Sequence, residues 1–309
     1  MLFLLGAILF SSLFSIIFKL CQKWGISCPQ VIFFNYVTAI LISWVPVGIN
    51  LLNGSSTFTD YALEGQSITF AVIQGLLFVL GFSIMDRSVW RSGVALTTVA
   101  ARASLILPVL LGWMVLSQPA PKWLPVGIVI ISMALILLPN ENQKHIGVKM
   151  SDKTDEQRRK LAILDLACVF LCYGVSDFFL KLSQDSVERN LAAGSSSETQ
   201  LNALMGFIFL SAGALSLISC IVRGNFKGRP VTIRTIAGGA VLGIGNTLCT
   251  SCCLRALERL STDVFYPLYN IGIVILATVA GVIVFKEKIK WLQYAGIVLA
   301  IFAIFLFFK

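Results

Sequence analysis

The sequence predicts an all-α integral membrane protein with ten transmembrane helices in two inverted five-helix repeats. Three observations carry that expectation. Hydrophobic residues make up 57% of the 309-residue chain and charged residues only 13%, whereas a soluble domain carries about 25% charged residues. The mean hydropathy is +0.87, and ten apolar stretches approach the roughly 20 residues that a helical span requires. The chain also matches itself. At an offset of 168 residues Arg87 falls on Arg255, Arg91 on Arg259, and Lys122-Trp123-Leu124 on Lys290-Trp291-Leu292, without a gap between the first match and the last. Further upstream, an offset of 162 lays Phe18-Lys19-Leu20 on Leu180-Lys181-Leu182.

The apolar stretches fall at 2–18, 31–47, 68–84, 93–116 and 123–138, then at 161–180, 201–222, 235–253, 263–285 and 291–308. They are continuous rather than alternating, so helices are expected and not barrel strands. The first has no basic residue before it and no small-x-small cleavage site after it, which reads as a retained helix rather than a signal peptide. The halves meet at 140–160, the most polar segment of the chain, read as a cytosolic linker. The expected organisation is therefore a first repeat at 1–139, the linker at 140–160, and a second repeat at 161–309. Because five is odd, the second copy enters the membrane upside down relative to the first. Inverted repeats of this kind give one scaffold two conformations, each open to one side.

Net charge is +9, but the basic residues sit in loops and form no nucleic-acid face. Most lie in the loops that follow odd-numbered stretches. The positive-inside rule puts those loops in the cytosol and both termini outside, as a multi-pass protein of a cell (inner) membrane. The 8 cysteines form no framework. Cys249, Cys252 and Cys253 share one apolar stretch and read as packed thiols. The only histidine, His145, lies in the linker, so no metal site is expected. No Walker glycine loop appears, and no cofactor is expected.

Polar groups inside the apolar stretches are the candidate site. Arg102 lies near the middle of the fourth stretch, too deep to reach the surface easily. A guanidinium there either faces a watery cavity and fixes a carboxylate or phosphate through its planar fork, or is held by an internal pair or helix carbonyls. The repeat offset sets Asn270 opposite Arg102. Thr98 lies four residues before Arg102 and shares its face. Thr97 and Ser104 are near, and Pro108 removes a backbone bond and bends the helix. In the sixth stretch Tyr173, Asp177 and Lys181 recur at four-residue spacing. Asp177 is the candidate coupling carboxylate or a partner for Arg102, or else forms a helix-end ion pair with Lys181. In the ninth, Tyr266 shares a face with Asn270. Asn35 and Tyr36 in the second stretch, with Ser11 and Ser15 in the first, are further lining candidates. Gly239 and Gly243 have the small-xxx-small spacing of close helix packing. Arg87/Arg91 and Arg255/Arg259 read as interfacial anchors.

The repeat unit, together with the charged end Val284-Phe285-Lys286-Glu287-Lys288-Ile289 followed by an apolar stretch, resembles the drug/metabolite transporter superfamily, EamA-like type. The matching position in the first copy is Pro119, within Ser117-Gln118-Pro119-Ala120-Pro121, so the usual acid occurs only in the second. The resemblance spans the whole chain in organisation. It implies ten helices around a central cavity lined mainly by helices one to four and six to nine. It also implies carriage of small metabolites or drugs and cytosolic termini, against the loop charges. The expected function is secondary transport of an amino acid or a related polar or amphipathic compound by alternating access, as an exporter. The expected partners are a small-molecule substrate and membrane lipid, and the expected state is a monomer. The alternatives are a channel, or a non-transporting membrane receptor or enzyme. Catalysis is not expected, because no acid/base or nucleophile cluster is visible.

Overall fold

A computed structural model describes residues 2–55, 57–116, 122–137, 155–189, 197–225, 230–257 and 262–306. The regular structure of the described residues is all helical, with no strand among them. In chain order the helices are α1 (Leu2–Lys23), α2 (Cys28–Leu52), α3 (Gly65–Ser92), α4 (Val94–Ala103), α5 (Ile106–Leu116), α6 (Leu124–Leu137), α7 (Asp155–Arg189), α8 (Ser197–Val222), α9 (Ile233–Leu257), α10 (Thr262–Val279) and α11 (Trp291–Leu306). A short 3-10 turn (Phe58–Tyr61) precedes α3, and a π-helical turn (Ala280–Val284) extends α10. Among the described residues, seven segments are long and apolar enough to cross a bilayer, and three shorter apolar helices accompany them. The protein is a multi-pass integral membrane protein. The linker residues 140–154, with His145, lie outside the described residues, as does Pro119.

The fourth apolar stretch is two helices. α4 ends at Ala103, and α5 begins at Ile106. Pro108 accounts for the break, since it has no N–H to donate to the carbonyl of Ser104. That carbonyl instead accepts from Leu107 N–H at 2.9 Å, a tighter 3-10 bond, while Leu105 N–H donates to Arg102 O at 3.3 Å. At the other end, Gly93 alone joins α3 to α4, at φ 90° and ψ 172°. That region is closed to residues with a Cβ.

The described chain divides into two compact units. The first comprises 1–23, 84–174 and 248–309; the second comprises 24–83 and 175–247. Each draws segments from both halves of the sequence. In the first unit, α6 packs on α11, α1 on α10, and α4 on α10 and α11. Its core gathers Leu96, Val99 and Ala100 of α4 with Val169 of α7, Val274 of α10 and Ala300 of α11. α7 passes close to the α4–α5 break because Gly174 has no side chain there: a Cβ would sit 2.8 Å from Ser104 O and 2.5 Å from Leu107 Cδ1.

In the second unit α2 packs on α8, and glycines again set the spacing. A Cβ on Gly206 would meet the indole of Trp44 at 2.8 Å, and one on Gly213 would meet Ile40 Cδ1 at 2.8 Å. Gly239 and Gly243 of α9 lie against Phe34, Asn35 and Thr38 of α2, where a Cβ on Gly243 would be 2.6 Å from Asn35 O. The small-xxx-small spacing is therefore a helix contact, as the sequence predicts.

Candidate functional site

In the first unit, α1 and α4 run antiparallel and meet along a polar seam. Ser11, Ser15 and Lys19 fall at four-residue steps on α1, and Arg102, Thr98 and Val94 at four-residue steps on α4. Such residues stack on one face of each helix. Arg102 Nη2 donates to Ser11 Oγ at 2.9 Å. One turn along, Ser15 Oγ and Thr98 Oγ1 share a hydrogen bond of 2.8 Å, and both residues are buried. One turn further, Lys19 Nζ lies 3.6 Å from Glu287 Oε1. That carboxylate accepts from the N–H groups of Val94, at 2.9 and 3.1 Å, and of Ala95, at 3.4 Å.

α4 thus carries opposite charges at its two ends. Gly93 offers no capping side chain, and Glu287 supplies the missing acceptor from far along the chain. Arg102 occupies the last turn. Both charges complement the helix dipole. The loop that delivers Glu287 is shaped for it. The π-helical turn ends with Phe285 N–H on Ala280 O and Glu287 N–H on Gly281 O at 2.9 Å. Lys286 takes φ 54°, a left-handed conformation unfavourable for a residue with a Cβ. A Cβ on Gly281 would lie 2.6 Å from Glu287 Oε2.

At the other end of the seam, the guanidinium of Arg102 lies 5.7 Å from the ring centroid of Tyr269, within cation–π range. The Tyr269 ring stacks on Phe265, with centroids 5.3 Å apart and planes 13° apart. Its hydroxyl is 3.5 Å from Cys249 Sγ, whose thiol is also placed to donate to Ala7 O at 3.6 Å. Arg102, half-buried, is therefore held by a hydroxyl, an aromatic face and the end of its own helix.

The first unit brings together Arg102, Thr98 and Ser15. Asn270 is 4% exposed, and its amide donates to Tyr266 O at 2.9 Å, within its own helix. Tyr266 packs its ring edge on Phe265 in a cluster with Leu4 and Ala256. Tyr173 donates to Met85 Sδ at 2.8 Å. Asn35 and Asp177 belong to the second unit. Asp177 is exposed. Asn35 is 0% exposed, and among the described residues neither amide atom has a hydrogen-bond partner. In the same unit Gln74 donates to Ser176 at 2.9 Å and Gln30 to Asn225 O at 3.0 Å.

Several participants do not stand out in the sequence. Tyr269, rather than Tyr266, faces Arg102, and Cys249 is its neighbour. Asp165, one turn into an apolar stretch, is a second. It lies 3.1 Å from Arg87 and also accepts from Arg91, at 2% exposure of its own side chain. Those two arginines therefore clamp α3 to α7 within the first unit. Their four-residue spacing was a signal that a carboxylate could lie between them.

No protein-family model matches the sequence. The chain is 28% identical to an uncharacterized protein of Haemophilus influenzae, covering 98% of this chain and 96% of that protein. A solved crystal structure superposes with a TM-score of 0.58 at 14% identity, over 99% of this chain and 94% of its own. The chain is thus a full-length homologue of an uncharacterized protein, and it shares its helical fold with a solved structure.

Proposed function

We propose that this protein is a secondary transporter that exports a small metabolite by alternating access, with ten spans in two inverted five-helix repeats of the drug/metabolite transporter type. It acts as a monomer in a lipid bilayer, without cofactor or catalytic chemistry. The observation that carries the reading is Arg102 at the break between α4 and α5, in the middle of the 22-residue apolar segment Val94–Val115. Ionisable groups at such depth mark substrate or ion paths, and helices broken at mid-length are where transporters build their sites. The self-match of the sequence supports the same reading.

The guanidinium suits a carboxylate, so an amino acid or related organic acid is the proposed substrate class. Thr98, Ser15, Asn270, Tyr266 and Tyr173 of the first unit are the proposed lining residues, and Ser11 and Tyr269 join them; Asp177 is the proposed coupling carboxylate. Counterflow of labelled amino and organic acids into proteoliposomes tests this. Saturable, self-competed uptake that is lost in Arg102→Ala is the expected result. Flux that rises linearly with concentration and ignores unlabelled competitor would instead make the protein a channel.

A further inference from the structure

Among the described residues Glu287 is the one carboxylate on the polar seam, and it holds one end of α4. α4 is 10 residues long, and Val94 and Arg102 are separated by about 12 Å of helix rise. Nine of its residues are buried, so the helix moves as a rod. Its Arg102 end meets α1 through Ser11 alone among the hydrogen bonds described above. Its Val94 end is fixed twice, by the carboxylate on two amide N–H groups and by the same carboxylate on Lys19 of α1. Between them lies one hydroxyl pair, Ser15–Thr98. A hydroxyl can exchange partners at little cost. The Glu287 junction cannot, because releasing it leaves two buried amide donors without an acceptor and leaves Lys19 only its 3.4 Å contact to Val89 O. The register in which Arg102 meets Ser11 is therefore set at the far end of the rod.

We infer that Glu287 is a positioning residue for Arg102: by capping α4 and pairing with Lys19 it fixes α4 against α1, and so fixes the guanidinium on Ser11 and Tyr269. The second repeat copy gives independent support in its sequence. The residue aligned with Glu287 is Pro119, which has no carboxylate, and the residue aligned with Val94 is Thr262. There the sequence reads Ser261-Thr262-Asp263, whose side chains are the types that cap their own helix. α4 begins Gly93-Val94-Ala95 and has no such residue. The acid is present in the copy whose partner helix lacks a cap of its own.

The inference rests on the proposed role of Arg102, but its test needs no ligand, so its failure is separable from failure of the transport reading. Amide hydrogen exchange is followed in detergent-purified full-length protein for wild type, Glu287→Gln and Glu287→Ala, with residues 204–212 of α8 as the reference. The isosteric Gln keeps one acceptor oxygen and loses the charge facing Lys19, so it is the variant expected to fold in any case. In Glu287→Ala, exchange should rise roughly 10-fold along all of α4, residues 99–103 included, as loss of a helix cap permits. Glu287→Gln should give a smaller rise of the same extent, and Lys19→Ala should resemble it. The reference segment should not change. A rise confined to 94–96 would make Glu287 a local cap only. An equal rise at 204–212 would make it a general stability residue. Either result, or no change in any variant, overturns the inference.

Discussion

The two units of the molecule solve one problem in different ways. Both must hold helices together where lipid offers no hydrophobic drive for association. The first unit has close glycine approaches at Gly174 and Gly272, but adds charge to them. Asp165 is shared by Arg87 and Arg91, Glu287 is shared by Lys19 and two amide groups, and Arg102 sits on a hydroxyl and a ring. The second unit does it with close backbone approach. Gly206, Gly213, Gly239 and Gly243 lie where any Cβ would collide with the neighbouring helix, and its interior polar groups are mostly neutral amides and hydroxyls. Polar contacts are directional, and the single hydroxyl bonds of the seam can be exchanged for other partners, whereas the Glu287 junction cannot. Glycine contacts are steric and depend only on close approach. The unit with exchangeable hydroxyl bonds is also the one that holds Arg102.

Substitutions in either unit separate the two modes of packing. The largest effect is expected for Asp165→Ala, which leaves two cations facing each other with Arg91 mostly out of water. Losing one partner of a buried pair costs about 3 kcal/mol, read as a loss of unfolding free energy in detergent. Next comes Gly243→Leu in the second unit. The new side chain must displace Asn35 and Thr38, at about 2 kcal/mol for an overpacked contact. Gly48→Leu on α2, with open space around it, is the control and should be neutral in the same titration. If both glycine variants behave alike, backbone approach is not what holds that unit.

Gly281→Ala should be milder. Its methyl group would press on Glu287 Oε2, so the expected cost is that of one helix cap, about 1 kcal/mol. The same variant should also raise amide exchange at Val94 and Ala95. The smallest effect is expected for Asn35→Leu, near-isosteric and removing an amide whose two polar atoms lack partners among the described residues. Stability should stay level or rise by about 1 kcal/mol. A clear loss would show that this amide is hydrogen-bonded in the folded protein.

The sequence made much of this legible and left a specific part hidden. Composition and periodicity reach the helices because both are local properties. Pro108 forecasts the break after α4 because a missing N–H acts on the carbonyl four residues back. Gly239 and Gly243 forecast a helix contact because their spacing fits one face. Arg102 is conspicuous because charge is rare in apolar sequence, and its two possible readings are both local arguments. Glu287 is different. It caps a helix that begins 193 residues earlier, and nothing at either position declares the partnership. Asp165 reaches Arg91 across 74 residues in the same way. Tyr266 and Tyr269 differ only in which face of α10 meets α4, which the packing decides and the spacing does not. Long-range pairs of this kind follow from topology.

In the proposed transport cycle Arg102 anchors an anionic substrate. The most direct test is ligand-induced thermal stabilisation of wild type and Arg102→Ala, screened with amino acids, organic acids, sugars, nucleotides and cationic drugs. At about 100 times its dissociation constant, a ligand specific to the folded state adds about 2.7 kcal/mol. A carboxylate-bearing compound is expected to stabilise wild type and to leave a folded Arg102→Ala unmoved. Equal stabilisation of both proteins by such a compound, or a response to cationic drugs alone, would contradict it.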